Sequence, residues 1–155
     1  MKILVDADSC PRDARELVLR RAAKLGIQAV FAANRPIPGI AGKGAVMEIC
    51  PAVDGAADDR IACLARPGDL VISRDVPLAQ RMVDAGVAII NDRGREYNRE
   101  NIREMLSLRN FTVGLAENGM GVERSPAYGK KELKAFADAL EKILIRLNVT
   151  KGKSH

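Results

Sequence analysis

Along the first ninety residues, short runs of consecutive apolar side chains alternate with stretches in which apolar residues return every three or four positions. Ile3-Leu4-Val5 has no polar side to turn to water, which predicts a strand covered on both faces. Ala14, Val18, Ala22 and Leu25 then recur at helical spacing, with Pro11 suited to the first turn and Gly26 to the end. The same alternation predicts strands at Ile27–Phe31, Val46–Cys50, Asp69–Ser73 and Val87–Ile90, and helices at Ala56–Ala65, Val76–Ala85 and about Asn98–Arg109. Two prolines and three glycines make residues 35–45 a loop. This rhythm predicts an α/β fold: a single three-layer domain over residues 1–150 with a mainly parallel, five-stranded, doubly wound sheet. Residues 115–129 read as a mobile loop. Residues 130–147 read as a C-terminal helix with Leu133, Phe136, Ala137, Leu140, Ile143, Leu144 and Leu147 on one stripe, and residues 151–155 as a disordered tail.

Composition narrows the chemistry. At 155 residues, 47% hydrophobic and 29% charged, the chain is long enough for a core of its own, and no apolar run approaches the roughly 20 residues a spanning helix needs. Met1 to Asp6 reaches an acidic residue before any apolar leader could form, so a cytoplasmic address is expected, with no membrane partner. Cys10, Cys50 and Cys63 are odd in number and lack a C-x-x-C spacing, which fits reduced thiols. The one histidine, His155, is the last residue, so acid, base or metal chemistry falls to carboxylates, thiols, Lys or Arg. The net charge of +5 admits a polyanionic partner.

The acidic residues stand at the ends of strands. Asp6 and Asp8 follow the first, Asp58 and Asp59 open the second helix, Asp75 lies just past the fourth strand and Asp92 just past the fifth. If the strand order reverses between strands one and four, these carboxylates converge on one sheet edge. Several within a few Å repel unless a cation neutralises them, and hard oxygen donors without imidazole or thiolate point to Mg²⁺ or Mn²⁺. The usual work of such a site is phosphoryl or phosphodiester chemistry. A single Asp at a strand-to-helix turn is commonly just an N-cap, and Asp58 and Asp59, being adjacent, cannot both face inward.

The stretches Val5-Asp6-Ala7-Asp8-Ser9-Cys10-Pro11, Ala57-Asp58-Asp59, Pro67 to Ala79, Asn91-Asp92-Arg93-Gly94 and Asn101-Ile102-Arg103-Glu104 resemble the bacterial YaiI/YqxD family. The likeness covers nearly the whole chain, including the late Phe136-Ala137-x-Ala139-Leu140 helix. It implies a fold similar to PIN-like nuclease domains, in which an Asp ends strand one and another follows strand four in a Thr-x-Asp turn, both serving a divalent metal. Asp6 matches the first position, and Ser73-Arg74-Asp75 matches the second with Ser for Thr. Asp92 falls where a later nuclease Asp is expected, and Asp58 or Asp59 stands for the mid-domain acid, usually Glu. The resemblance thus implies a Mg²⁺- or Mn²⁺-dependent nuclease acting on nucleic acid, RNA in preference, with Asp6 and Asp75 as ligands and Ser73 fixing Asp75 by a hydrogen bond. Asp8, Asp58 or Asp59, and Asp92 would ligate directly or through water.

Other readings compete. A non-catalytic nucleic-acid or protein-binding domain would keep the fold without the metal. Asp6-x-Asp8 also resembles the start of haloacid-dehalogenase phosphatases, but their later Ser/Thr, Lys and acidic pair come in a different order here. Gly39, Gly42 and Gly44 around Lys43 miss the P-loop spacing, which needs Gly at 37 and Ser or Thr at 44. Cys10 before Pro11 reads as buried or capping, and Cys50 and Cys63 as core. Among the basic residues, Arg93 and Arg95 are the expected phosphate contacts, with Arg35 and Lys43 able to touch a polyanion. Phe31, Phe111 and Phe136 read as core, leaving few stacking platforms for bases, so binding should rest on backbone charge and weaken with salt.

Overall fold

The computed structural model describes residues 1–40, 44–117 and 127–152. Its element order is β1 (Lys2–Asp6), α1 (Arg12–Leu25), β2 (Gln28–Ala33), β3 (Val46–Ile49), α2 (Ala56–Leu64), β4 (Leu70–Ile72), α3 (Val76–Asp84), β5 (Ala88–Ile90), β6 (Glu96–Tyr97), α4 (Ile102–Glu117) and α5 (Lys130–Gly152). The strands form one sheet in the order β3-β2-β1-β4-β5-β6, parallel except for β6, which pairs antiparallel with β5. The sheet therefore has six strands where the hydrophobic pattern gave five. β6 is two residues long, too short to show an alternation.

β1 lies between β2 and β4, with Val5 opposite both Phe31 and Ile72. Its apolar run is explained by what covers it. Ile3 and Val5 join Phe31, Ile72 and Ile90 in a core closed by Val18 of α1 and Phe136 and Leu140 of α5. Leu4, pointing the other way, joins Val30, Val71 and Ile89 in a second core closed by Ile61 of α2, Leu78 and Met82 of α3, and Ile102 of α4. The period of two along the strands divides the interior into these two cores and gives three layers. Gly26 ends α1 at φ 67°, a left-handed turn that costs glycine nothing.

Several boundaries shift. The fourth helix starts four residues later than expected and runs to Glu117, so residues 115–117 are helical; the rest of the expected mobile loop includes 118–126, which lie outside the described residues. The C-terminal helix continues past 147 to Gly152, taking in the first two residues of the expected tail, and 153–155 lie outside the described residues. Phe111 is not core: it is 65% exposed, because among the residues of α4 whose side chains are described only Ile102, at its start, is buried in the sheet's core. Cys63 is exposed as well, since it falls two residues past Ile61 and so on the opposite side of α2. Leu25 is also exposed, and Leu19 takes its place on the buried side of α1. Cys10 and Cys50 are buried as expected. Among the described residues, no helix is long and apolar enough to cross a membrane.

Candidate functional site

Because β1 and β4 are neighbours whose following helices lie on opposite faces of the sheet, the chain leaves a crevice at their C-terminal ends, the usual ligand position in such folds. A cleft of about 420 Å³ opens there, lined in part by Asp6, Asp8, Asn34, Asp58, Arg74 and Asp75. Asp6, the last residue of β1, is nearly buried. Its Oδ2 accepts hydrogen bonds from the hydroxyls of Ser9 at 3.0 Å and Ser73 at 3.1 Å. Two donors on one oxygen fix the carboxyl's rotation, while among the described residues no donor reaches Oδ1. Asp8 is tethered across β2, its Oδ2 accepting the Asn34 amide at 3.0 Å.

Ser73 is buried just past β4 and does two things: its hydroxyl donates to Asp6 and accepts the backbone N–H of Asp75 at 3.0 Å. The expected link from Ser73 to Asp75 therefore runs through the Asp75 backbone, and the serine's proton goes to Asp6. Asp75 is also the N-cap of α3, its Oδ2 accepting the Leu78 amide at 2.8 Å. The structural use of an Asp at a helix start and its position on the cleft coincide in this residue.

Asp58 occupies the third position of α2 and lines the cleft, whereas Asp59, one residue on, points away and is 71% exposed in an ion pair with Arg81 at 2.8 Å. Of the adjacent pair, then, one faces inward. Burial, opposed by no hydrogen-bond donor, combines with the negative charges of Asp75, Asp6 and Asp59 to push the Asp58 carboxyl up to about 6. Burial also raises Asp6, and the two serine hydroxyls oppose it only in part, since Asp8 and Asp75 add to the repulsion.

Asp92 does not join this group. Its side chain is buried and its Oδ2 accepts the Arg74 guanidinium, from Nε at 3.1 Å and also from Nη2. The physical reason is that a carboxylate buried beside the sheet needs a counter-charge, and the arginine at the end of β4 supplies it. Arg93 packs toward α5, its guanidinium 3.8 Å from Glu132 and 5.7 Å from the centre of the Tyr128 ring. Arg95 and Arg35 are exposed and outside the cleft lining, and Lys43 lies outside the described residues. Cys10 is a poor nucleophile: burial, with Asp92 next, pushes its thiol up to about 12.

Among the described residues, no group of three or more His, Cys, Asp or Glu is already close enough to hold a metal ion. The donor chemistry nonetheless fits a hard divalent cation. Asp6 and Asp75 each keep one carboxylate oxygen, and Asp58 both, without a hydrogen-bond donor among the described residues. Arg74, Ser9 and Asn34 escaped the sequence reading as site residues. Arg74 is in view inside Ser73-Arg74-Asp75, but only the pairing of β4 with β1 and β5 shows where its side chain goes.

The family described as "Uncharacterized BCR, YaiI/YqxD family" matches residues 4–146. A UPF0178 protein of Treponema pallidum is 47% identical over 147 residues, spanning 95% of this chain and 83% of the relative. One from Treponema denticola is 43% identical over 94% of this chain and 93% of its own length. One from Ectopseudomonas mendocina is 40% identical over 96% and 99%. No solved structure matches the chain.

Proposed function

The chain belongs to the YaiI/YqxD family, and we propose that it is a divalent-metal-dependent nuclease that cleaves phosphodiester bonds in nucleic acid, RNA in preference to DNA. The observation that carries this reading is the meeting of Asp6, Asp58 and Asp75 on one cleft, with Asp6 raised by burial and the charges of Asp8 and Asp75, and Asp58 by burial and the charges of Asp75 and Asp6. Desolvating like charges side by side costs free energy that folding does not recover, and a cation in the cleft would offset it. The resemblance of Asp6 and Ser73-Arg74-Asp75 to the PIN-like nuclease positions supports the same reading.

Asp6, Asp58 and Asp75 would hold Mg²⁺ or Mn²⁺, with Asp8 reaching it directly or through water. When bound, the ion supplies Lewis acidity and charge neutralisation at a phosphodiester. The chain's own part is to orient. Ser9 and Ser73 turn Asp6 so that Oδ2 is spent on hydroxyls, and Ser73 ties the end of β4 to that of β1. The cap bond to Leu78 fixes Asp75 at the head of α3.

Labelled single-stranded RNA and DNA oligonucleotides, incubated with Mn²⁺ or with EDTA, test the proposal. Wild type should cleave with Mn²⁺ only, and RNA faster. Asp6→Asn should abolish cleavage while its melting temperature stays level or rises, because one repelling charge is gone and the serine bonds remain. No metal-dependent cleavage by wild type, or undiminished cleavage by that variant, overturns it. A second reading, a non-catalytic binding domain, draws on Asp75 being used as a cap and on the carboxyls not yet being gathered on one point. It predicts nucleic-acid or protein binding with no Mn²⁺-dependent cleavage and no saturable Mn²⁺ binding.

A further inference from the structure

Among the described residues, Arg74 is the one cation lining the cleft, where it stands with Asp6, Asp8, Asp54, Asp58 and Asp75. A phosphate entering that acidic surrounding is repelled by every other ionisable side chain of the lining, so this guanidinium decides where the phosphate can rest. It is not a loose surface arginine. Nε and Nη2 both donate to Oδ2 of Asp92, whose side chain is 5% exposed against 41% for Arg74. Asp92 is itself held in place, its carbonyl accepting the Tyr128 hydroxyl at 2.6 Å. Nη1 has no hydrogen bond among the described residues. A guanidinium clamped along one edge presents the donors of its remaining edge in a fixed direction, the arrangement that suits a phosphate's paired oxygens.

We propose that Arg74 binds a backbone phosphate of single-stranded RNA in the cleft, with Asp92 as its positioning residue rather than a metal ligand. The inference rests on the nuclease reading for its choice of ligand, but it is read by binding and not by cleavage. The competing explanation is that Arg74 only neutralises the buried Asp92. A double variant separates the two, because Asp92→Asn removes the charge that would need neutralising.

The test is fluorescence anisotropy of a labelled single-stranded RNA oligonucleotide in EDTA across a salt series, with melting curves confirming that each variant is folded. Arg74→Gln should weaken binding about tenfold and lower the slope of log affinity against log salt by about one, as loss of one phosphate contact does. Arg74→Gln combined with Asp92→Asn should remain equally weak. Wild-type affinity in either variant, or no RNA binding by wild type, overturns the proposal. Failure of the nuclease reading appears elsewhere, as absence of Mn²⁺-dependent cleavage by the wild-type protein.

Discussion

Asp58 concentrates the cleft's electrostatics in one residue. Its carboxyl, at about 6 in the folded protein, sits above the ordinary value of about 4 that the unfolded chain restores. As pH rises from about 4 to about 6, the unfolded chain gives up this proton before the folded protein does. Folding therefore loses stability through that window, with no penalty below it and the full penalty above. In EDTA, Asp58→Asn should be more stable than wild type at pH 7.5 by about 1 kcal/mol, a figure reduced because the carboxyl is partly solvated. The difference should vanish by pH 4. Urea unfolding at both pH values checks this, and a gain that persists at pH 4 shows that charge is not the cause. At this scale the sequence displays which residues are acidic but not which way they face. Asp58 and Asp59 are indistinguishable as letters, and only the docking of α2 on the sheet turns one into the cleft and the other toward Arg81.

The start of α3 joins a structural bond to a candidate ligand, and the two can be taken apart. Asp75 caps α3 through the Leu78 amide, and Asn caps as well as Asp does. Asp75→Asn should melt close to wild type while Mn²⁺-dependent cleavage is lost, and Asp75→Ala should lose cleavage and also about 1 kcal/mol of stability. Equal melting of the two variants in thermal denaturation would mean that the cap bond contributes nothing. Elements with local punctuation were readable in this way: Pro77 opens α3 and Gly86 follows it, Gly26 ends α1, and Ile3-Leu4-Val5 announced a strand with both faces covered. What has no local signal was missed. β6 exists because Glu96 and Tyr97 find β5 beside them, and Phe111 is exposed because α4 leaves the sheet beyond its first turns. An aromatic in a helical pattern signals burial only where a neighbouring element is there to cover it.

Across the whole molecule, the net charge of +5 hides a division, with an acidic cleft at the β1/β4 crevice and the basic excess elsewhere. The parallel, doubly wound sheet is legible in the βαβ rhythm, whereas the strand order that creates the crevice enters the sequence reading only as a supposition, and how α5 completes the molecule is not legible there. The helix closes one core through Phe136 and Leu140, and it passes so near the turn after β5 that a Cβ on Gly94 would lie 2.5 Å from the Ala135 carbonyl oxygen. Gly94 also holds φ 88°, in the left-handed region. That turn carries Asp92, so α5, the turn and the Arg74 clamp form one connected unit. Gly94→Ala should accordingly cost about 2–4 kcal/mol, backbone strain plus a contact that neither turn nor helix can relieve without separating. Gly26→Ala is the control: it has φ 67° but open space around it, and should cost only the strain, about 1–2 kcal/mol. Urea unfolding of the two variants side by side measures the difference. If Gly94→Ala costs no more than Gly26→Ala, α5 does not seat against this turn; if it costs the larger amount, the docking of a helix more than thirty residues downstream sets the position of the residue that holds Arg74.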